Sequence, residues 1–241
     1  MKYIILIGDG MADAPIKVLG GKTPLEAADT PNMDRLASLG TLGLFHSVPE
    51  GYPPGSDVAN LSILGYDPKK YYTGRAPLEA ASMGVDLAPG DVAFRCNLVS
   101  YLKTDDGIIM DDYSAGHITT EEAGEIISTL DSELSSAELK FYPGKSYRHL
   151  MVIKGAYENI EATPPHDISD KPIEGSLPTG EGAEKINVLT RESEDILARH
   201  PVNIKRREEG KKTADSIWLW GQGVKPAMPT MESSYGKTGS I

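Results

Sequence analysis

The sequence has little cysteine and few basic residues. Its 241 residues include one cysteine, Cys96, so an internal disulfide is excluded. Acidic residues outnumber basic ones by 35 to 24, which gives a formal net charge of −11. General binding to nucleic acid or to an anionic membrane favours a basic surface, so the sequence argues against both. An anionic ligand would need a local basic pocket in this acidic protein.

Long apolar runs are also missing. The run near the N-terminus is too short for a secretion signal and Asp9 follows it at once, and no stretch is long enough to span a membrane. We therefore expect a cytoplasmic protein. Hydrophobic residues make up 39% of the chain, which is enough for one large domain or two smaller ones.

The N-terminal stretch "KYIILIGDG" is a continuous apolar run that ends in a glycine turn. Such a run is typical of a parallel strand covered on both faces. Ligands bind at the carboxyl ends of the strands in open α/β sheets, where this reading places Asp9. An aspartate that caps the next turn is the alternative, and position alone does not separate the two.

Strand and helix patterns then alternate along the chain, which predicts an α/β fold. Thr23 and Thr30 precede prolines at two helix starts, and Thr119 with Glu122 forms a capping box. A loop rich in proline and glycine covers residues 160–182, and long loops are often functional. The remaining predicted elements are strands over residues 93–102, 147–155 and 216–223, and a second long helix that ends before Pro201.

The stretch "GYPPGSDVANLSILGYDP" places Ser56 beside Asp57 in a loop before an apolar segment. A loop serine is usually a turn former or a helix cap, and in a few proteins it is a nucleophile. The chain has no G-x-S-x-G elbow and no P-loop. A metal ion is the remaining activator, with Asp9 as its natural carboxylate ligand.

Together with "IGDGMAD", "TPNMDRLASLG", "YYTGRAPLEAASMGV", "DVAFRCNLVS", "SYRHLMVIKG" and "IWLWGQG", this stretch resembles the archaeal-type cofactor-independent phosphoglycerate mutases. That family belongs to the alkaline phosphatase superfamily, and the resemblance runs along the whole chain. "TPNMDRLA" alone also resembles sulfatases. A sulfatase, however, would show proline and arginine shortly after its nucleophile, where this chain has Val-Ala-Asn at 58–60.

The resemblance implies a reaction and its cofactors. Ser56 would ligate a metal ion and become phosphorylated, and Asp9 would bind the same metal. The family interconverts 3-phosphoglycerate and 2-phosphoglycerate through a phosphoserine, without added 2,3-bisphosphoglycerate. Two divalent ions, commonly manganese and otherwise magnesium or zinc, would hold the attacking and leaving oxygens.

The resemblance also implies a domain plan and a substrate clamp. A mostly parallel, alkaline-phosphatase-like sheet flanked by helices would be built from residues 1–90 and 214–241. A smaller α/β transferase domain, residues 91–213, would be inserted in it and would clamp a small phosphorylated carboxylate. Candidate clamp residues are His117, Arg148, His166, Asp167 and Arg206. Ordinary alternatives are a cap neighbour for His117, an edge-strand charge for Arg148 and a solvated charged loop for "KRREEGKK".

Members of the family are longer than this chain, and their other metal ligands follow a segment that resembles "YGKTGSI". None of the five histidines lies in the family's metal-binding settings. We therefore expect either a fragment of a mutase or a short form. Two alternatives stay open: a related phosphotransferase or phosphatase, for example one similar to homoserine kinases, and a non-catalytic truncated relative. Association into a homo-oligomer also stays open.

Overall fold

The computed structural model describes residues 2–52 and 54–239. Met1, Pro53 and the last two residues, which belong to the predicted phosphatase-like domain, lie outside the described part. The chain divides into two compact units, Met1–His46 and Ser47–Ile241.

The first unit contains short helices that begin where the sequence predicts. The Thr23 hydroxyl accepts the Glu26 backbone N–H at 3.2 Å, and the Glu26 carboxylate accepts the Thr23 N–H at 2.8 Å. This reciprocal capping box satisfies donors that a helix start leaves unpaired. The elements of this unit are a 3₁₀ turn, Lys17–Leu19, and the helices α1, Pro24–Ala27, and α2, Pro31–Leu39.

The predicted N-terminal strand is not found. The described residues 2–8 form no strand, and Ile4 and Leu6 are 92% and 89% exposed. An apolar run becomes a buried strand only when other strands pair with its backbone and further layers cover both faces. Within the described residues, no strand pairs with this run.

One sheet organises the second unit. Its strand order is β2–β1–β4–β3, while β5 pairs with residues 92–99 of β1. The strands are β1, Asp91–Thr104; β2, Gly107–Asp112; β3, Leu139–Lys145; β4, Arg148–Lys154; and β5, Ser216–Val224.

The mixed α/β class is confirmed, whereas the mostly parallel sheet is not seen. Every pair in the described sheet is antiparallel. Only two residues separate β1 from β2, and only two separate β3 from β4. Connections this short form hairpins, because a parallel pair needs a crossover of a dozen or more residues.

The predicted long helices are confirmed. The Thr119 capping box forms with Glu122, with both hydrogen bonds at 3.2 Å. Two 3₁₀ turns, Pro165–Ile168 and Glu174–Ser176, lie in the predicted long loop. The helices of this unit are α3, Ser56–Ile63; α4, Pro68–Tyr71; α5, Arg75–Ser82; α6, Thr120–Leu134; α7, Ala183–Ala198; α8, Pro201–Glu208; and α9, Met231–Tyr235.

The two faces of the sheet differ. One face forms the main core against α6 and α7, and Cys96 lies there, fully buried, where burial raises the pKa of its thiol. A thiol buried in this way is a structural group rather than a reactive one. The opposite face carries two smaller apolar clusters, one against α5 and one against the loop around Ile168 and Ile173. The region between these small clusters is polar.

In the part of the chain that the structure describes, no helix combines the length and the apolar content that a membrane crossing requires.

Candidate functional site

A polar strip, formed by Arg95, Asn97 and Trp220, lies between the two small apolar clusters. Side chains alternate along a strand, so Arg95 and Asn97 of β1 face away from the main core. Both are buried, at 4% and 2% exposure. The Trp220 indole N–H donates to Asn97 Oδ1 at 3.1 Å, and the Asn97 amide donates to the Tyr113 carbonyl at 3.1 Å. These bonds fix the tryptophan ring beside the arginine.

Two guanidinium groups share one carboxylate at this strip. Arg95 Nε lies 3.0 Å from Glu79 Oε2, and Arg75 Nε lies 3.9 Å from Glu79 Oε1. The guanidinium carbons of Arg95 and Arg75 are 4.2 Å and 5.8 Å from the centre of the Trp220 ring. Burial lowers the pKa of Arg95 and the Glu79 carboxylate opposes that change. Arg75 and Arg95 carry two positive charges and Glu79 one negative charge, so the three groups together keep a net positive charge.

His166 reaches the same strip from the 3₁₀ turn Pro165–Ile168. Its ring centre lies 5.4 Å from that of Trp220. Partial burial lowers the pKa of His166, Asp167 raises it, and Arg75 and Arg95 lower it further. Since the net shift is downward, the imidazole is mostly neutral near pH 7 and can both donate and accept a hydrogen bond.

Arg148 borders the cluster from β4. Its Cα is the register partner of Asn97, and its guanidinium lies 5.9 Å from the ring centre of Tyr147. Tyr147 meets the Tyr113 ring edge-on at 5.8 Å, and Tyr113 in turn contacts His166. The positive charge on Arg148 also lowers the pKa of Arg95, which means that the two guanidinium groups interact electrostatically.

These contacts gather Arg75, Arg95, Arg148 and His166 into one group, which we call the cationic cluster. It has three guanidinium groups, while Glu79 and Asp167 supply two carboxylates. A local basic site of this kind, in a chain of net charge −11, fits a small anion such as a carboxylate or phosphate.

Sequence reasoning missed Arg75, Arg95 and Trp220. A signal was present for Arg95, because "VAFRCNLVS" places a charged residue at an alternate position of an otherwise buried strand. Charged residues are almost never fully buried unless they are paired. Nothing comparable marks Arg75, which only the packing of α5 brings to the strip.

The structure places His117 and Arg206 in other contacts. His117 lies exposed in a turn with φ of +50°, and its backbone N–H donates to Ser114 Oγ at 3.2 Å. Arg206 is only 3% exposed and lies in α8, so it is an exception to the solvated loop considered for its segment. Its guanidinium donates to Glu122 at 2.7 Å and to the Ala115 and Lys212 carbonyls at 2.8 Å. These internal bonds favour a structural role for Arg206.

Ser56 is the first residue of α3 and is exposed. The unpaired N–H groups and the positive dipole end of a helix favour negative charge at such a position. The neighbouring Asp57 accepts a hydrogen bond from the Tyr72 hydroxyl, with 2.7 Å between Oδ2 and the phenol oxygen. Tyr72 is separated by two residues from Arg75, so this bond connects the serine helix with the segment that leads into the cationic cluster.

Asp9 lies in the first unit, exposed and in a turn. Among the described residues, no group of three or more histidine, cysteine, aspartate and glutamate side chains could hold a metal ion. A divalent centre needs several oxygen or nitrogen ligands for each ion. The described residues alone therefore do not fit a two-metal centre, and the joint role of Asp9 and Ser56 stays a prediction.

Fold and site define a mixed α/β protein with a cationic cluster connected to a serine at a helix start. The family model for 2,3-bisphosphoglycerate-independent phosphoglycerate mutase matches residues 37–203. The chain therefore belongs to this family.

Known relatives carry the same name. The 2,3-bisphosphoglycerate-independent phosphoglycerate mutase of Methanosarcina barkeri is 57% identical over 244 residues, and a second enzyme of that name from Methanothermobacter thermautotrophicus is 52% identical over 242. Both alignments include all of this chain. The chain spans 60% and 59% of the length of these relatives.

Two solved structures have a similar fold, and one of them carries the name of the family. A cofactor-independent phosphoglycerate mutase from Thermoplasma acidophilum aligns with a TM-score of 0.54 at 31% identity, over 93% of this chain and 59% of its own. A protein from Pyrococcus horikoshii aligns with a TM-score of 0.65 at 32% identity, over 93% of this chain and 52% of its own.

Proposed function

We propose that this chain carries the serine and the anion clamp of a cofactor-independent phosphoglycerate mutase. The observation that carries the proposal is the cationic cluster, which the segment from Tyr72 to Arg75 connects to the Ser56 helix. The names of the relatives support the same reaction and do not favour a different phosphotransferase.

The proposed reaction moves one phosphoryl group through the protein. The Ser56 hydroxyl attacks the phosphorus of 3-phosphoglycerate, the bond to the 3-oxygen breaks, and phosphoserine and glycerate remain. The 2-hydroxyl of glycerate then attacks the phosphoserine, which yields 2-phosphoglycerate and restores the serine. Arg75, Arg95 and Arg148 would hold the substrate anion, and neutral His166 would donate to or accept from a glycerate hydroxyl. Such a transfer depends mainly on positioning and charge stabilisation.

The finer parts of the sequence prediction belong to this proposal. Residues 1–90 and 214–241 would form a phosphatase-like domain with a mostly parallel sheet, and residues 91–213 would form the inserted domain. Two divalent ions, with manganese as the first choice, would take Asp9 and Ser56 among their ligands, and no added 2,3-bisphosphoglycerate would be needed. His117, Asp167 and Arg206 stay candidate clamp residues, and a cytoplasmic location is part of the proposal.

An enolase-coupled assay with manganese and without 2,3-bisphosphoglycerate tests the reaction. We expect Ser56→Ala to lower turnover about a thousandfold or more, because it removes the nucleophile. Ser62→Ala is the matched control, since the Ser62 hydroxyl in the same helix only donates to the Val58 carbonyl. Ser56→Ala at the normal rate would reject the proposal. No turnover by the unaltered chain would fit a fragment of a mutase that lacks the remaining metal ligands, and the same two variants would then be compared in a longer chain. Chelation of the metal should abolish turnover.

A binding measurement tests the clamp without relying on turnover. We expect Arg95→Lys to raise the dissociation constant for 3-phosphoglycerate about tenfold, because lysine keeps the charge and loses the planar guanidinium. The tryptophan fluorescence of the chain is the readout, because one of its two tryptophans, Trp220, contacts Arg95. Arg191→Lys is the control, because Arg191 forms an exposed ion pair with Glu184 away from the strip. Equal affinities for the two variants would remove Arg95 from the clamp.

A further inference from the structure

A four-residue segment, residues 72–75, runs between the serine helix and the cationic cluster; we call it the 72–75 strap. At its first residue, the Tyr72 hydroxyl donates to Asp57 Oδ2 at 2.7 Å. Burial raises the pKa of Tyr72 above its ordinary value and the carboxylate of Asp57 raises it further. The phenol therefore keeps its proton at neutral pH, so the donor of the hydrogen bond to the residue after Ser56 is present there.

The middle of the strap is fixed against β5. The Thr73 hydroxyl donates to the Val224 carbonyl at 2.6 Å. Gly74 has φ of +141°, and a Cβ added there would lie 2.0 Å from the Gln222 carbonyl oxygen. Gly223 meets the Thr73 carbonyl in the same way, so the two backbones cross where neither has room for a side chain. The strap therefore has a fixed place on the sheet.

At its last residue the strap enters the cluster. Arg75 begins α5, with its guanidinium 5.8 Å from the Trp220 ring centre. The segment that holds Asp57 at one end thus holds a cluster arginine at the other. A contact at the Tyr72 end can set where the start of α3 lies relative to the arginines.

We propose that Tyr72 is a positioning residue: through Asp57 it holds the first turn of α3, and with it Ser56, in place relative to the cationic cluster. The inference rests on the proposed function and adds to it a residue that touches neither the phosphoryl group nor the glycerate. Effective transfer requires the reacting atoms about 3–3.5 Å apart and aligned, and a displacement of about 1 Å can cost about a hundredfold in rate.

Kinetics of Tyr72→Phe separate positioning from simple loss of structure. We expect kcat to fall about tenfold while KM changes less than about twofold, because the anion clamp stays intact while the serine loses its fixed position. Tyr71→Phe is the matched control. Tyr71 is the adjacent residue and makes ring contacts with Tyr66 and Lys70, and no hydrogen bond of its hydroxyl occurs among the described residues. An unchanged kcat for Tyr72→Phe, or a KM that rises as much as kcat falls, would overturn the inference.

A double-substitution cycle tests whether Tyr72 acts through Asp57. If it does, the combined variant Tyr72→Phe with Asp57→Ala should lose no more of kcat than Asp57→Ala alone, because alanine leaves the phenol no side-chain acceptor. Losses that multiply would show that Tyr72 acts by another route and would overturn the inference.

Amide NMR signals give a readout that does not depend on activity. Tyr72→Phe should shift the amide signals of Ser56 and Asp57 more than those of Ile63 at the far end of the helix, and Tyr71→Phe should leave all of them in place. Unchanged Ser56 and Asp57 signals would overturn the inference even in a chain without turnover. Failure of the proposed function looks different: Ser56→Ala would then retain normal turnover, whatever the effect of Tyr72→Phe.

Discussion

The burial and the pKa of a single residue in this chain depend on the face of the sheet on which its side chain lies. His149 lies on β4, 1% exposed, opposite Cys96 of β1. Its Nδ1 accepts the Gly144 backbone N–H at 3.0 Å, so the proton of the neutral ring resides on Nε2. Within the described residues Nε2 has no hydrogen-bond partner. Burial therefore lowers the pKa of His149 from 6.5 to about 3.

This shift predicts loss of stability in mild acid. Above pH 6.5 the ring is neutral in both states, and below it only the unfolded chain takes up the proton, until the folded state also protonates near pH 3. Between pH 7 and pH 5 the unfolded state therefore gains about 2 kcal/mol relative to the folded one from this residue. The variant His149→Gln keeps an acceptor for the Gly144 backbone N–H, and it should not show this part of the loss of stability between pH 7 and pH 5.

Urea unfolding at several pH values measures the effect as the difference between the unaltered chain and His149→Gln. His46→Gln, a change at an exposed histidine, controls for titration elsewhere. Parallel pH profiles for the unaltered chain and His149→Gln would contradict the prediction.

Apolar clusters hold the helices and strands of the second unit together, and one close approach of two backbones fixes where α5 meets β5. The crossing of Gly74 and Gly223 joins the start of α5 to the end of β5. A glycine with φ of +141° and ψ of +167° occupies a region of backbone conformation that side chains essentially exclude. The crossing thus has both a conformational and a steric requirement for glycine.

We expect Gly74→Ala to lower the free energy of unfolding by at least about 2 kcal/mol, since the new methyl group overlaps the Gln222 carbonyl. Gly84→Ala is the control at the other end of α5. Gly84 has φ of +71°, and a methyl group added there would meet no atom within 4 Å. The expected loss at Gly84 is therefore only the conformational one, about 1 kcal/mol. If urea unfolding gave equal losses of unfolding free energy for the two variants, the steric overlap at the crossing would contribute no destabilisation of its own.

At the scale of the whole molecule, the chain is acidic, yet the arginines of the cationic cluster converge on one face of the sheet of the second unit. β5 follows the predicted insert in sequence, yet it pairs with β1 along residues 92–99 and supplies Trp218 and Trp220 to the face opposite the main core. The sheet therefore depends on residues beyond 213, where the sequence prediction ends the inserted domain.

Shortening the chain tests this dependence. A chain that ends after residue 215 should lose cooperative unfolding, because it exposes one edge of β1 and removes five buried side chains, Ser216 to Trp220. A chain that ends after residue 229 keeps β5 and should unfold cooperatively. Far-UV circular dichroism against urea measures both. Matching transitions would support an insert that folds without β5, as the predicted boundary implies.

Local signals explain what could be predicted from the sequence. Capping boxes at Thr23 and Thr119, apolar stripes on the long helices and the strand pattern around Cys96 all depend on neighbours a few residues apart. The same local motifs carry the family resemblance. His166 and Arg148 were selected by residue type, and the structure brings both to one cluster.

The tertiary structure decided which strands pair and which side chains meet at the candidate site. A strand pattern does not state its partners, so periodicity could not show the antiparallel order of the strands or the lack of strand structure in the described residues 2–8. Arg75, Arg95 and Trp220 come from three distant segments, and only the packing of α5 and β5 around β1 makes them neighbours. The sequence by itself determined the long helices, the strands β1, β4 and β5, and the family, because these reside in local residue patterns. The tertiary structure decided the site, because charge and shape at a site depend on which segments meet.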